Sequence, residues 1–594
     1  VCLPNTRQGL LDDIVGWVNN PNGGSVFWLY GAPGSGKSTV ANTIGSLFSN
    51  LKRLAASFRF SRDTNQRNEP TFLFGNLTSQ LARFDGRLKK EIVSIIKDEG
   101  NMDSLPLQNQ LKRFIVDVLP VVEFTGPVVL VIDAVDESGR DNVRDGLLRA
   151  LSAELPRLPV FVKILITSRN ESDIRSSLAG ISKSQSIDNT QGTREDILTF
   201  IDKRMSQIKL SHVDLPPAWP GDRRLELADQ AAGLFIWAAV ACNYIKDGDP
   251  RVRLQHVLSG IGSRRERAET ALDDLYLDIL RRCCGKISPD VFKYIVGSIL
   301  FAKTPLSQRG LDSFLGLGDH LIDRPMVLPN GSEVELASST SILKPLATIF
   351  RAGETIQIIH PSLFDFFTTT HRCNDDRFYI NSSNQNRILT DRCLRVMSEL
   401  LRRDICCIND PTKFNSEVLD LDGRLQEYVP EHLRYACQFW SLYLADIPVG
   451  DNEIYTKVTE FLFEHFLHWL EVMSLLKKVD SVFNMLEQAK CWFEVCHHLF
   501  HFTLPEFIFA QGYSHLASDV RELLNDSICF VEYFDVPIRA SAAHIYVSGI
   551  PFTPAETMLS KSYSSKAGRI PKVRMGVDPL WSPIRYVRRN LFGS

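Results

Sequence analysis

Residues 25–39, Ser-Val-Phe-Trp-Leu-Tyr-Gly-Ala-Pro-Gly-Ser-Gly-Lys-Ser-Thr, constrain the fold more than any other stretch of this chain. Ser25 to Tyr30 are apolar, aromatic or β-branched and read as a short strand. Gly31, Ala32, Pro33, Gly34, Ser35, Gly36, Lys37 and Ser38 match the pattern G-x-x-x-x-G-K-[ST], and Thr39 follows. Val40, Ala41, Ile44, Leu47 and Phe48 then recur at helical spacing. In the order strand, glycine loop, helix, such a loop wraps a phosphate. Glycines let several backbone N–H groups converge on one point, and the following helix aims the positive end of its dipole there. Lys37 is then placed to reach β and γ phosphates, and the Ser38 hydroxyl to ligate Mg²⁺. A glycine turn that binds nothing would need neither the flanking strand nor the helix.

Two further stretches extend this reading. Val128 to Ile132 form an apolar run suited to a buried parallel strand, with Asp133 at its carboxyl end, the side on which open α/β sheets bind ligands. A carboxylate there can hold Mg²⁺ together with Ser38. Asp136 and Glu137 are both candidates to polarise an attacking water, and the sequence does not choose between them. Ile164 to Ile166 continue the sheet, and Thr167, Ser168 and Arg169 stand where that strand ends. An arginine at that position can contact a γ-phosphate; a surface ion pair is the plainer alternative. Leu54–Phe60 and Ser184–Ile187 read as further strands, and Phe72–Phe84, Leu88–Ile96 and Leu107–Leu119 as helices. Ahead of the glycine loop, Thr6 and Arg7 precede an amphipathic helix and either edge a nucleotide or merely open that helix.

The fold class expected is a multidomain α/β plus α chain. Its parts are an entry loop and helix over 1–24, a P-loop core with a parallel sheet between helices over 25–190, and a small helical domain over 191–268. A winged-helix domain over 269–375, a helical domain over 376–530 and a C-terminal extension or linker over 531–594 complete it. Thr193 reads as the N-cap of a helix to Met205, and Leu225–Tyr244 as one helix. In the fourth part, three helices are followed by strand-like runs Ile342–Phe350 and Thr355–Ile359 and by a helix opened at Pro361. The candidate recognition helix, residues 308–320, carries one Arg and two Asp, so no direct nucleic-acid contact is expected. His360 stands alone at a strand end, where a histidine is most often structural. The aromatic stripes near Tyr435–Trp440 and Phe461–Trp469 read as inter-helix core. Cys491, Cys496, His497, His498 and His501 cluster, but their spacing fits no zinc pattern.

Composition excludes several classes. A net charge of −3 gives no electrostatic footprint for nucleic acid or a membrane surface. Twelve scattered cysteines do not make a disulfide framework and point to a reducing compartment, hence a cytoplasmic location. No apolar run reaches a membrane span, and no signal peptide is expected.

Taken together, Cys2-Leu-Pro-x-Thr6-Arg7, the Phe27–Thr39 loop, VLVIDAVDE, ILITSR, TPLS at 304–307, IIHPSLFDFF and YACQFW resemble the NACHT family of STAND-class NTPases, the fungal NLR-like proteins in particular. These motifs cover most of residues 1–475, and residues 543–552 resemble the stretch that leads to a WD-repeat propeller in such proteins, although no repeats follow here. The resemblance implies a purine-nucleotide switch using ATP/ADP (or GTP/GDP) with Mg²⁺, weak hydrolysis, and homo-oligomerisation on activation by an unknown trigger through an unknown effector. It also implies that His360 touches the β-phosphate of bound diphosphate, and a role in non-self recognition or regulated cell death. The alternative is an AAA+-like or other P-loop ATPase whose main role is turnover.

Overall fold

The structure, a computed structural model, describes residues 1–61, 69–99, 102, 105–139, 141–188, 190–259, 268–317, 326–327, 333–334, 338–448, 450–503, 513–564, 573 and 578–581. Five strands form one parallel sheet: β1 (Val26–Tyr30), β2 (Leu54–Arg59), β3 (Val128–Asp133), β4 (Val162–Ser168) and β5 (Lys183–Ser186), in the order β2-β3-β4-β1-β5. β4 lies between β1 and β3, pairing Leu29 with Thr167 on one side and Ile132 with Ile166 on the other. This insertion puts the end of β4 between the glycine loop and Asp133.

Every residue of β3 and β4 is buried, because helices cover both faces of the sheet. Alternation sorts the side chains. Phe27, Leu29, Val129, Val131 and Leu165 pack under the helices Gln8–Asn19 and Lys37–Asn50, with Trp17, Ile44 and Phe48. Val26, Trp28, Leu130, Ile132, Ile164 and Ile166 face Leu77, Phe114, Leu147 and Ile174 on the other side. Each such side chain contributes about 1.5–3 kcal/mol by leaving water. Lys163 is a charged residue 1% exposed in the middle of β4. Its ammonium donates to the carbonyls of Asn20 (2.9 Å) and Gly24 (2.7 Å), fastening the turn before β1.

Beyond the sheet, helices Thr193–Ser211, Arg223–Gln230, Phe235–Lys246 and Pro250–Ser259 come first. Helices Ala268–Cys284, Pro289–Leu300 and Gln308–Leu315 follow, then a hairpin of Phe350–Ala352 with Ile356–Ile358, then the helix Ser362–Thr368. Long helices, including Ser382–Leu400, Glu431–Leu444, Asn452–Leu475 and Val479–Thr503, make the rest. From Ile197 to Tyr563 the buried apolar side chains form one continuous cluster. Among the described residues no helix is long and apolar enough to cross a membrane.

Several local expectations are corrected. Thr193 is the first helical residue, not the cap; Gly192 precedes it in the left-handed region. The 225–244 stretch is two helices, because Ala232 (φ 47°) and Gly233 (φ 85°) turn the chain between them. Of the strand-like run Ile342–Phe350, Ile342 and Leu343 belong to the helical turn Thr340–Leu343 and only Phe350 is in a strand, Phe350–Ala352, since an apolar run of that length suits either. The 107–119 helix ends at Leu111 and passes into a π turn at Lys112–Val116. Residues 531–563, expected as part of an extension or linker, are helical and bury Phe534, Ile538, Ile545, Tyr546 and Tyr563. The side chains of His497, His498 and His501 lie outside the described residues, as do residues 582–594; among the described residues no group of three or more potential metal ligands gathers.

Candidate nucleotide-binding site

A cavity of about 500 Å³ opens at the carboxyl end of the sheet, and the glycine loop forms its floor. Gly34 and Gly36 take φ of 82° and 100°, which lets the loop curl without a Cβ in the way. The helix at Lys37 begins directly under the cavity, and its first-turn N–H groups have no i−4 carbonyl to serve them. Lys37 Nζ donates to the carbonyls of Gly31 (2.8 Å) and Ala32 (2.9 Å), a six-residue return that holds the ammonium over the loop. Burial pushes the Lys37 ammonium below its ordinary value, with Asp136 opposing that shift and Arg169 adding to it.

Ser38 and Asp133 meet: the hydroxyl donates to Oδ1 at 3.0 Å. Thr167 donates to the same oxygen at 2.5 Å and accepts the Ala134 N–H at 3.0 Å. Ala134 itself is left-handed (φ 61°), which starts the short 3₁₀ turn carrying Asp136 and Glu137. Asp133 Oδ2 is buried without a hydrogen bond, and the Arg59 Nε lies 3.5 Å from it. A hard carboxylate oxygen left without a hydrogen bond, beside a hydroxyl, is a donor set that fits Mg²⁺.

The end of β4 is occupied by Arg169. Its backbone N–H donates to Asp136 Oδ1 (3.0 Å), its Nε lies 2.9 Å from Asp136 Oδ2, and its Nη1 lies 2.5 Å from Asp365 Oδ2. Burial works against the Arg169 charge, but Asp365 and Asp136 outweigh it and hold the guanidinium above its ordinary value. Asp136 thus commits both oxygens to Arg169, and Glu137 lines the cavity beside it.

Opposite the loop stand two elements from outside the sheet. The first turn of the helix Phe235–Lys246 sits on the loop: Ile236 N–H donates to Gly34 O at 3.2 Å, and a Cβ on Gly34 would lie 1.9 Å from an Ile236 methyl. His360 is the other, its ring within 3.7 Å of the same added Cβ. The Ser362 N–H donates to His360 Nδ1 at 3.1 Å, so a neutral ring carries its proton on Nε2. Ser362 Oγ lies 2.9 Å from Nδ1 and 3.0 Å from the buried Tyr276 hydroxyl. Burial, then Lys37 and Arg169, lower the His360 pKa to about 3.

A pH dependence follows from that depressed value. As pH falls from 6.5 toward 3, the unfolded chain takes up a proton at His360 that the native state refuses. Stability at this residue is full above about 6.5 and declines on acidification by at most about 1.4 kcal/mol per pH unit. Melting temperatures between pH 7 and 5 are expected to fall more steeply for the natural chain than for His360→Gln; parallel profiles would contradict the burial of a neutral ring.

Thr6 and Arg7 line the cavity but are turned into the protein, 2% and 4% exposed. Thr6 donates to Leu3 O at 2.8 Å. Arg7 donates to Ser35 O (3.0 Å) and Thr193 Oγ1 (2.7 Å), while its N–H meets Asp196 Oδ2 (3.0 Å). Arg7 therefore ties the glycine loop to the helix Thr193–Ser211. Ala32, Ser35 and Gly31 form the back of the loop, while Pro33, Gly34, Gly36, Lys37, Ser38 and Thr39 face the cavity. Asp188, which the sequence did not single out, accepts the Ala32 N–H with both oxygens (2.9 and 3.1 Å). Its place after β5, in Ile-Asp-Asn-Thr, gives no pattern that would have flagged it. Phe200, Arg204, Phe235 and Ala239 also line the cavity, Phe235 with a ring carbon 4.0 Å from a Cβ added at Gly36.

A parallel sheet with a glycine loop after β1, Lys37 and Ser38 on the next helix, and Asp133 at the end of β3 defines a P-loop nucleotide-binding fold. Residues 5–169 match the protein family described as Nephrocystin 3, N-terminal. Across 601 aligned positions the chain is 23% identical to the vegetative incompatibility protein HET-E-1 of Podospora anserina, covering 94% of this chain and 40% of that protein. The chain thus spans about two fifths of that relative's length. The resemblance to fungal NACHT-type NTPases is borne out by these matches. Among solved structures, Cdc6p of Pyrobaculum aerophilum is similar at 14% identity over 60% of this chain and 90% of that one, with a TM-score of 0.27. Drosophila ORC bound to DNA is similar at 11% identity over 61% and 86%, with a TM-score of 0.27.

Proposed function

We propose that this chain is a nucleotide-operated switch that binds a purine nucleotide with Mg²⁺, hydrolyses it slowly, and alternates between a closed diphosphate state and an open, self-associating triphosphate state. The observation that carries this reading is the composition of the cavity. Its floor is the glycine loop, but its roof is the Phe235–Lys246 helix and His360, which belong to other parts of the chain. A ligand held there touches elements distant in the chain, so its chemical form can set their arrangement in this reading.

In this reading the loop N–H groups, Lys37 and the helix N-terminus bind the β and γ phosphates, and Ser38, Asp133 and the Thr167 hydroxyl arrange the metal position. Mg²⁺ would neutralise phosphate charge when bound. Asp136 and Glu137 both line the cavity, and either carboxylate is placed to polarise water. The His360 Nε2 proton meets a β-phosphate oxygen, and the Ser362 N–H fixes the tautomer that makes this possible. Likeness to a vegetative incompatibility protein supports a part in fungal non-self recognition; self-association as the output and a cytoplasmic setting belong to the same reading.

Calorimetric titration of the purified chain with ADP, ATP, GDP and GTP, with and without MgCl₂, tests the assignment. Asp133→Asn is expected to leave metal-free binding within about threefold and to remove most of the Mg²⁺-dependent gain, about 10-fold or more. A Mg²⁺ response that survives the substitution would contradict the metal assignment. Fast turnover without any trigger would favour the motor reading over the switch.

A further inference from the structure

Five ionised side chains form a line that leaves the cavity and enters the helical part of the molecule. Asp136 is paired with Arg169 (2.9 Å), Arg169 with Asp365 (2.5 Å), Asp365 with Arg372 (3.9 Å), and Arg372 with Asp273 (2.7 Å). No side chain in the line is more than 17% exposed. Charges alternate along it, and its two ends are fixed. Asp136 is pinned by the Arg169 N–H as well as the guanidinium, and Arg372 grips Asp273 through both Nε (3.0 Å) and Nη2 (2.7 Å). The middle joint, Arg169 Nη1 to Asp365 Oδ2, is the one that crosses from the sheet to the Ser362–Thr368 helix.

We propose that Asp365 is a specificity-determining residue of the nucleotide site: by holding Arg169, it makes the site favour a diphosphate over a triphosphate. The proposal rests on the nucleotide reading above. Arg169 lines the same cavity as Lys37, Thr167 and Ala134, on the side of Asp133. To grip a γ-phosphate with two parallel N–H bonds, its guanidinium must give up a present partner. The Asp136 contact does not yield readily, since both groups belong to adjoining strand ends and a backbone N–H holds them together. The Asp365 contact does yield, because Arg372 stands ready as an alternative cation and keeps the Asp365 carboxylate from being left buried alone. A diphosphate asks nothing of Arg169 and leaves the joint intact.

The same helix carries both discriminating groups. His360 precedes it and Asp365 lies within it, so breaking the Arg169 joint loosens the mounting of the histidine as well. A triphosphate thus opposes the closed arrangement twice: it draws Arg169 away, and it weakens the hold of His360 on the β-phosphate.

Competition binding of ADP and β,γ-imido-ATP with MgCl₂ to the full chain, run beside the guanine counterparts, tests this. Asp365→Asn is expected to shift the triphosphate-to-diphosphate affinity ratio by about 10-fold toward triphosphate. Asp365→Glu should stay within about threefold of the natural ratio, and in an Arg169→Ala background Asp365→Asn should change nothing. A ratio unmoved by Asp365→Asn, in protein with the natural melting temperature, overturns the proposal while leaving the nucleotide site standing. Absence of binding by the natural chain overturns both. Hydrogen exchange on the natural chain needs no variant: residues 362–372 should exchange faster with β,γ-imido-ATP than with ADP, and equal protection would overturn the proposal.

Discussion

Lys37→Ala is expected to abolish nucleotide retention, lowering affinity for both di- and triphosphate by about 100-fold or more. A hydrogen bond to a charged group contributes roughly 1.5–3 kcal/mol, and Lys37 would serve more than one phosphate oxygen. The ammonium is buried and held below its ordinary pKa, a state that an arriving phosphate reverses. Without ligand, Nζ already has partners in the carbonyls of Gly31 and Ala32, so its removal also loosens the loop. The melting temperature measured without nucleotide separates these effects. A modest drop with complete loss of nucleotide-induced stabilisation is the expected pattern. Binding within a few-fold of the natural chain would refute the site.

His360→Ala is expected to weaken diphosphate by about 10- to 100-fold and triphosphate by much less. The tautomer of His360 decides this. Because the Ser362 N–H donates to Nδ1, the neutral ring presents a donor at Nε2, and its pKa of about 3 keeps it neutral at physiological pH. A neutral donor discriminates by position rather than by charge, so its contribution depends on the closed arrangement of the Ser362–Thr368 helix. Equal losses for the two nucleotides, measured by the same titration, would show that His360 is only part of the wall. Tyr276→Phe provides a milder test, since it removes one end of the Tyr276–Ser362–His360 line while keeping the ring volume.

What could be read from sequence was what depends on neighbours along the chain. The glycine loop, the buried runs ending in Asp133 and at Ser168, and the helix behind Lys37 are local patterns, and each element is present in the structure. Partners far apart in sequence were not legible. Arg7 was read as either a nucleotide edge or a helix opening, yet it reaches Ser35 and Thr193, 28 and 186 positions away. The pairing of Asp365, in the helix opened at Pro361, with Arg169, just past the end of β4, joins residues far apart in sequence. Lys163 gave no sign that a strand interior would bury an ammonium; two carbonyls of the turn before β1 make that possible. The strand order is another such property, since nothing in the chain order says that β4 inserts between β1 and β3. Breaks at Ala232–Gly233 and the helical turn at 340–343 were missed because apolar periodicity continues through a left-handed pair and does not distinguish short helices from strands.

The central claim is that the cavity between the glycine loop, the Phe235–Lys246 helix and His360 holds a nucleotide diphosphate in the resting protein. The most direct measurement is to purify the chain without added nucleotide, denature it, and identify what is released by ion-exchange chromatography against ADP, ATP, GDP and GTP standards. The account predicts close to one diphosphate per chain, lost in Lys37→Ala. An empty site in natural protein that then turns over added ATP rapidly would contradict it and assign the chain to the turnover ATPases instead.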